Sequence, residues 1–584
     1  MFAGLQIESK VLHDGQDALL CQHQHRVLRQ LDLQPKPDLL REFHLLQFES
    51  GLRQRPVPGV EVVGPAALGA IRGHAPERVY VGLLATVLAL AIVAHGGRDF
   101  IEWSVCLALL GLLSLGYWTW HDRMVSAPVL EPRLAALVLM APAYVMCQLV
   151  PLPAFLLRLL SPSRFNVALA LGSMMPPHRF APLSIHTAST SISLMRIAAY
   201  TLTFLLMREL ACSSFRRRSW LAVWPVIVLG VVEGGSGLVQ AASGLEVRGT
   251  YGNRNHFAGL LEMALPLAVG YAVACGRRDS ARDPSAPASV RAVLVDVALP
   301  VAAALALFAA LVASSSKMGF VAGVFGLFVM GALAASTMMT GATKWMVLSA
   351  LIISSALALV FLASAQLTSD FESLINSSRL ASGEGRVPIW GDTLRLLKAY
   401  ALFGSGLGTY GTAFLKYQTA VVELDFTHAH NDYLEFASEL GAIGFSLFAA
   451  LMIAIAGRAI RCVKRAQEWD VRLAALGCAG AIAAIGLHSL VDFNLYMPAN
   501  ALSLAWIAGI AAGVPVAPLA RRSLPSGDVV KVAAIGLALL LVIGTPVQII
   551  AERTAQEDSE QSTRPIGQLL DAVRKDAASP HRWA

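Results

Sequence analysis

Long, uninterrupted apolar runs constrain this chain more than any other feature. VYVGLLATVLALAIVA (79–94) and VVKVAAIGLALLLVIG (529–544) are two of them. An α-helix needs roughly 20 apolar residues to cross the hydrocarbon, whereas barrel strands leave alternating signals of roughly 10 residues. These runs are continuous, so they predict helices, which satisfy their own backbone polar groups in lipid. Composition agrees. Of 584 residues, 55% are hydrophobic and only 15% charged, against about a quarter charged in soluble domains. The mean hydropathy is +0.59. The expected fold is all-α, a polytopic membrane bundle.

The apolar runs place spans at 80–95, 101–119, 133–150, 192–211, 219–241, 256–275, 294–313, 318–338, 345–365, 436–457, 472–490, 497–515 and 531–550, giving about 12–13 transmembrane helices. The bundle thus covers 80–550. Residues 1–79 are polar and basic and lack a signal-peptide pattern. They read either as a cytoplasmic extension or, in part, as an overextended start. Residues 551–584 form a tail, too short for a repeat array, which generally needs about three units. The seven cysteines, Cys21, Cys106, Cys147, Cys212, Cys275, Cys462 and Cys478, contain no CxxC pair. Neither a zinc site nor a disulfide framework is indicated.

The net charge of +7 reflects loop arginines rather than a nucleic-acid surface. Arg216, Arg217 and Arg218 form one cluster. Arg277, Arg278, Arg282 and Arg291 form a second, and Arg458, Arg461, Lys464, Arg465 and Arg472 a third. Arg521 and Arg522 form the fourth. The helix counts between clusters are even, so one topology puts all four in the cytoplasm, as the positive-inside rule requires. The loops 151–191, 242–255, 314–317, 366–435 and 491–496, and the C-terminal tail, then face the periplasm. The loop 366–435 exceeds the roughly 15 residues beyond which a loop is usually functional or disordered.

Three outward segments lead directly into helices: Gly249–His256, Ser314–Lys317 and Thr427–Glu435. Helix N-termini carry free N–H groups and attract anions. Each segment holds a basic residue, and Arg386, just before Pro388, adds a fourth positive helix start. Arg254, Lys317 and Arg386 together suit a diphosphate at the membrane surface. Asp432 followed by Glu435 fits a capping box, which starts a helix near Asp432. His430 then sits just outside that N-terminus, where the dipole favours the neutral imidazole a general base needs.

Plainer readings stand beside these. Asn253, Asn255, Asn431 and Asp432 read equally as caps, Arg254 as a headgroup contact and Lys317 as a snorkelling lysine. His428 and His256 read as structural or solvent-facing. Arg196 lies in an apolar stretch, where an arginine is functional by its cost, or snorkels from the outer end of its helix. Gly406, Gly408 and Gly411 match GxGxxG, but no βαβ unit surrounds them, so Gly404–Gly411 reads as a helix stop with tight turns.

GTYGNRNHFAGLL, SSSKMGFVAG, GEGRVPIWGDTLRLL…FGSGLGTYG, THAHNDYLEFASELGAIG and HSLVDFNLYMPANAL (488–502) occur in that order. Over roughly 190–515 the chain resembles the O-antigen ligase and O-antigen polymerase superfamily. The resemblance implies a metal-independent, cofactor-free inner-membrane glycosyltransferase acting on the periplasmic face. It moves a glycan from undecaprenyl diphosphate to a hydroxyl on lipid A core, a growing polysaccharide or a protein. It matches the family's loop histidine to His430, with Asn431, Asp432, Glu435 and His428 as supporting residues. Its arginines match Arg254 and Arg386, with Lys317 and Arg196 added as diphosphate ligands. Many members carry arginine where this chain has Lys317, and lysine loses the bidentate fork. Other envelope polysaccharide-assembly proteins are possible partners. Two other classes remain open. A transporter would place charged or broken-helix sites near the midplane in repeated halves, whereas a scaffold leaves the outward basic cluster unexplained.

Overall fold

The computed structural model describes residues 74–97, 100–121, 130–172, 179–214, 220–280, 294–363, 386–419, 426–514 and 526–577. Most of the N-terminal extension, the arginines 216–218, 282, 291, 521 and 522, and the stretches 364–385 and 420–425 of the large loop lie outside the described residues.

The helices in chain order are α1 (His74–Val93), α2 (Phe100–Gly116), α3 (Pro132–Leu149), α4 (Ala154–Leu160) and α5 (Pro162–Gly172). There follow α6 (Thr187–Ser214), α7 (Trp224–Ala242), α8 (Arg254–Ser280), α9 (Leu299–Ala313), α10 (Lys317–Met338) and α11 (Gly341–Ala363). The chain continues with α12 (Val387–Ala399), α13 (Tyr410–Phe414), α14 (Asp432–Arg465), α15 (Trp469–His488), α16 (Pro498–Gly513) and α17 (Ser526–Ala577). Among the described residues the only strands are Leu152–Pro153 and Phe180–Ala181, paired antiparallel.

Eleven of these helices are long and apolar enough to cross a membrane. Each coincides with an expected span, and the remaining two spans correspond to α1 and the shorter apolar α16. The bundle is tightest where small residues let backbones approach. α6 packs along α16, and α8 and α10 pack along α15. Gly509 faces the carbonyl of Phe204, and Gly326 faces that of Gly480. Such close approach is how helices associate in lipid, which supplies no hydrophobic drive of its own. Residues 551–577 continue α17 as one helix.

Two ends of the bundle are distinct. At one, Arg278 bonds Asp470, and Arg277 lies over the Trp469 ring, 3.7 Å from its centroid. There too, Arg472 donates to the carbonyls of Val463 and Thr337, and Arg461 approaches Glu131. The described members of two arginine clusters thus share one end. The opposite end gathers the starts of α8, α10, α14 and α16 and the last turn of α15.

α14 is broken. Gly441 has φ 65° and ψ −177° inside it. A Cβ there would lie 2.4 Å from the Leu402 carbonyl carbon, so only glycine fits this crossing. The freed groups are all taken up. Ser405 N and Gly406 N donate to the carbonyls of Ser438 and Glu439, and Tyr144 Oη to that of Leu440. Ala442 N donates to Ala401 O. The first two turns of α14 therefore belong to a layer built with loop 401–409, and the remainder spans. Gly404, Gly406 and Gly408 all have positive φ, giving the tight turns expected of that stretch.

Candidate active site

The site forms around a carboxylate. Asp492, in the turn linking α15 to α16, is only 1% exposed. Its Oδ2 accepts from Asn255 Nδ2 at 2.7 Å, at the start of α8. Asn255 Oδ1 accepts in turn from Ser316 Oγ at 2.9 Å. Ser316 is the N-cap of α10, accepting from Gly319 N. One chain of hydrogen bonds therefore ties the N-termini of α8 and α10, with their leading residues Arg254 and Lys317, to Asp492. Arg254 is exposed and Lys317 half-buried.

Three cationic or potentially cationic side chains close on the same carboxylate. Nδ1 of His430 and Nε2 of His256 each lie 3.7 Å from Oδ1, and Nη2 of Arg386 lies 3.7 Å from Oδ2. These are electrostatic approaches, too long for hydrogen bonds. Arg386 also donates through Nη1 to Val491 O. Burial alone would push the Asp492 carboxyl up. The two imidazoles and the Arg386 charge outweigh it and hold the group well below the usual carboxylate range.

His430 has φ 50°, in the left-handed region. Histidine is among the few side chains tolerated there, at a cost of about 1–3 kcal/mol. Its side chain is 28% exposed, so the imidazole faces outward while one edge meets Asp492. Phe493 spaces the histidines. His428 stacks on its ring at 4.1 Å, and the rings of His256 and His430 meet it near-perpendicularly at 4.6 and 4.9 Å.

The start of α14 differs from the expected capping box. The N-cap is Asn431, whose Oδ1 accepts from Leu434 N at 3.0 Å. Asp432 is instead fully buried. Its carboxylate accepts from Leu495 N, and its own N–H donates to the carbonyls of Ser489 and Asp492. Shifting the cap by one residue puts Glu435 one position beyond the box, so it reaches further back. Its Oε2 accepts from Ala429 N at 2.7 Å, and its Oε1 lies 2.8 Å from His428 Nδ1. Asn253 does cap α8, accepting from Asn255 N, while the Asn255 side chain bridges helices instead.

Arg196 is not brought into this cluster. It lines an apolar cavity between α3, α6, α14 and α16. Three further residues take part. Asp492 lies inside the quoted HSLVDF segment and is the lone acid between two apolar helices, a signal that was there to use. His488 and Glu262, both fully buried, pair at 2.9 Å beneath the site; ionisable residues inside apolar runs are their signal. Among the described residues no group of three or more histidine, cysteine, aspartate or glutamate side chains is arranged to hold a metal ion.

Residues 302–449 match the family model described as O-antigen ligase. That stretch runs from α9 to the middle of α14. It contains Lys317, Arg386, His428 and His430, and leaves Arg196, Arg254 and Asp492 outside. No curated protein matches the chain.

Proposed function

We propose that this chain, whose residues 302–449 match the O-antigen ligase family model, transfers a glycan from an undecaprenyl-diphosphate carrier to an acceptor hydroxyl, at the periplasmic face of the inner membrane. His430 takes the proton of the acceptor hydroxyl as its oxygen attacks the anomeric carbon. The bond from that carbon to the diphosphate oxygen breaks, and single displacement inverts the centre. Arg254, Lys317 and Arg386 stabilise the charge growing on the departing diphosphate. A diphosphate leaves without a strong general acid, so no second carboxyl is required. Asp492 balances the imidazolium formed on His430.

The observation that carries this reading is the convergence of His430 and Arg386 on buried Asp492, with Asn255 and Ser316 joining Arg254 and Lys317 to the same point. His430→Ala and Arg254→Ala test it, by glycan transfer in membranes at matched expression. Normal transfer in both would overturn it. Ligase and polymerase differ in the acceptor, which glycan profiling of a deletion strain separates. Uncapped lipopolysaccharide marks a ligase, short side chains an O-antigen polymerase, and loss of secreted polymer an exopolysaccharide polymerase.

A further inference from the structure

The cavity beside Arg196 has a volume of about 200 Å³. That is below the roughly 300–1,000 Å³ of sites that enclose a whole small molecule, and suits a hydrocarbon chain. Its walls are almost wholly apolar, with Phe204, Phe448 and Leu504 among them. Arg196 lines it from within α6, a membrane-length helix. Among the described residues no carboxylate pairs with Arg196, and its Nε is buried without a hydrogen-bond partner. A cation so placed is costly, and an anion beside it offsets that cost.

The cavity also reaches the histidine segment. Phe436 and Tyr496 wall it and stack on each other at 4.8 Å, and the Tyr496 ring lies 5.4 Å from that of His428. None of Arg254, Lys317, Arg386 or Asp492 lines it. Those residues meet at the starts of α8 and α10 and at Asp492 of the α15–α16 turn, whereas the cavity lies between α3, α6, α14 and α16 and meets that turn through Leu495 and Tyr496. Cationic positions therefore flank the histidine segment on two sides.

We propose that this cavity seats a hydrocarbon chain of a phosphorylated lipid, with Arg196 against its phosphate, and that this lipid anchors the acceptor glycan. The assignment of the acceptor rests on the transferase reading above; the lipid site itself does not. Donor and acceptor then approach His430 from different faces of the bundle, each held by its own cation.

The test uses the full-length protein in detergent and native mass spectrometry, with dioleoyl phosphatidic acid as probe and dioleoylglycerol, which lacks the phosphate, as the uncharged control. Arg196→Gln should weaken phosphatidic acid binding at least tenfold, with Arg196→Lys in between. Ala505→Phe, which fills the cavity and leaves the arginine in place, should weaken it as well. Arg254→Gln with Arg386→Gln should leave it unchanged. Unaltered binding in both Arg196→Gln and Ala505→Phe, or a loss that follows Arg254 and Arg386 instead, overturns the site. In a reconstituted transfer assay, Arg196→Gln should raise the acceptor KM at least tenfold with the donor KM and kcat unchanged. A rise in the donor KM alone overturns the acceptor assignment. Binding needs no turnover, so it reads the cavity even if His430→Ala leaves transfer intact.

Discussion

The two ends of this bundle treat charge in opposite ways. At the arginine end the cations are half-buried or exposed, and Arg277, Arg278, Arg461 and Arg472 find local partners: the Trp469 ring, Asp470, Glu131 or a helix-terminal carbonyl. At the histidine end four acids are buried. Asp432, Glu435, Glu439 and Asp492 are all within 1% of full burial, and each accepts hydrogen bonds from irregular backbone. Exposed pairs are worth little individually, and their shared side matters for orientation. Buried acids hold loops in one shape, because losing a bond there strands a desolvated group. On the proposed reading, orientation and chemistry are carried by different residues at different ends.

Substitutions can break that division. His430→Ala should cost the most, about 10²–10⁴-fold in transfer rate, read by glycan transfer in membranes with unchanged thermal unfolding. Arg254→Gln and Arg386→Gln should each cost about 10²–10³-fold. Arg386→Gln should also lower stability, because Arg386 bonds Val491 O and faces Asp492. Asp492→Asn should slow transfer by about 10–100-fold, the usual range for a residue supporting another group. Its pH dependence carries a sign. The native carboxyl lies below its unfolded value, so its contribution to stability is complete above about pH 4 and is lost as pH falls through the lower native value. The wild-type and Asp492→Asn unfolding temperatures should therefore differ above about pH 4 and converge below it. Arg278→Gln, at the other end, should leave transfer unchanged and cost no more than about 1 kcal/mol. A large loss of transfer in that variant would show that the two ends are not separate in function.

Hydropathy made the helices legible, because a span needs only length and apolarity. The segments carrying Arg254, Lys317, Arg386 and His430 were legible because each precedes a helix. What the chain hid was long-range. Nothing local says that Asn255 meets Asp492, 237 residues later, or that Arg196 faces a cavity rather than the basic cluster. The start of α14 at Asp432 was legible, but Asn431 and Asp432 are both good caps, and only the Ser489–Leu495 turn, folded against Asp432, decides between them. The break at Gly441 was equally hidden, since ELGAIG reads as ordinary helix until Leu402 is packed against it.

That break bears on how the protein responds to its bilayer. A continuous helix transmits any change of tilt along its whole length, and spans tilt when hydrocarbon thickness changes. Here the turns that begin at Asp432 are bonded to loop 401–409 and to Tyr144, and the spanning part starts anew at Ala442. Thinner or thicker lipid should therefore be absorbed below Gly441, with His430 keeping its distance from Asp492. Transfer rates in nanodiscs of shorter and longer acyl chains should accordingly change little.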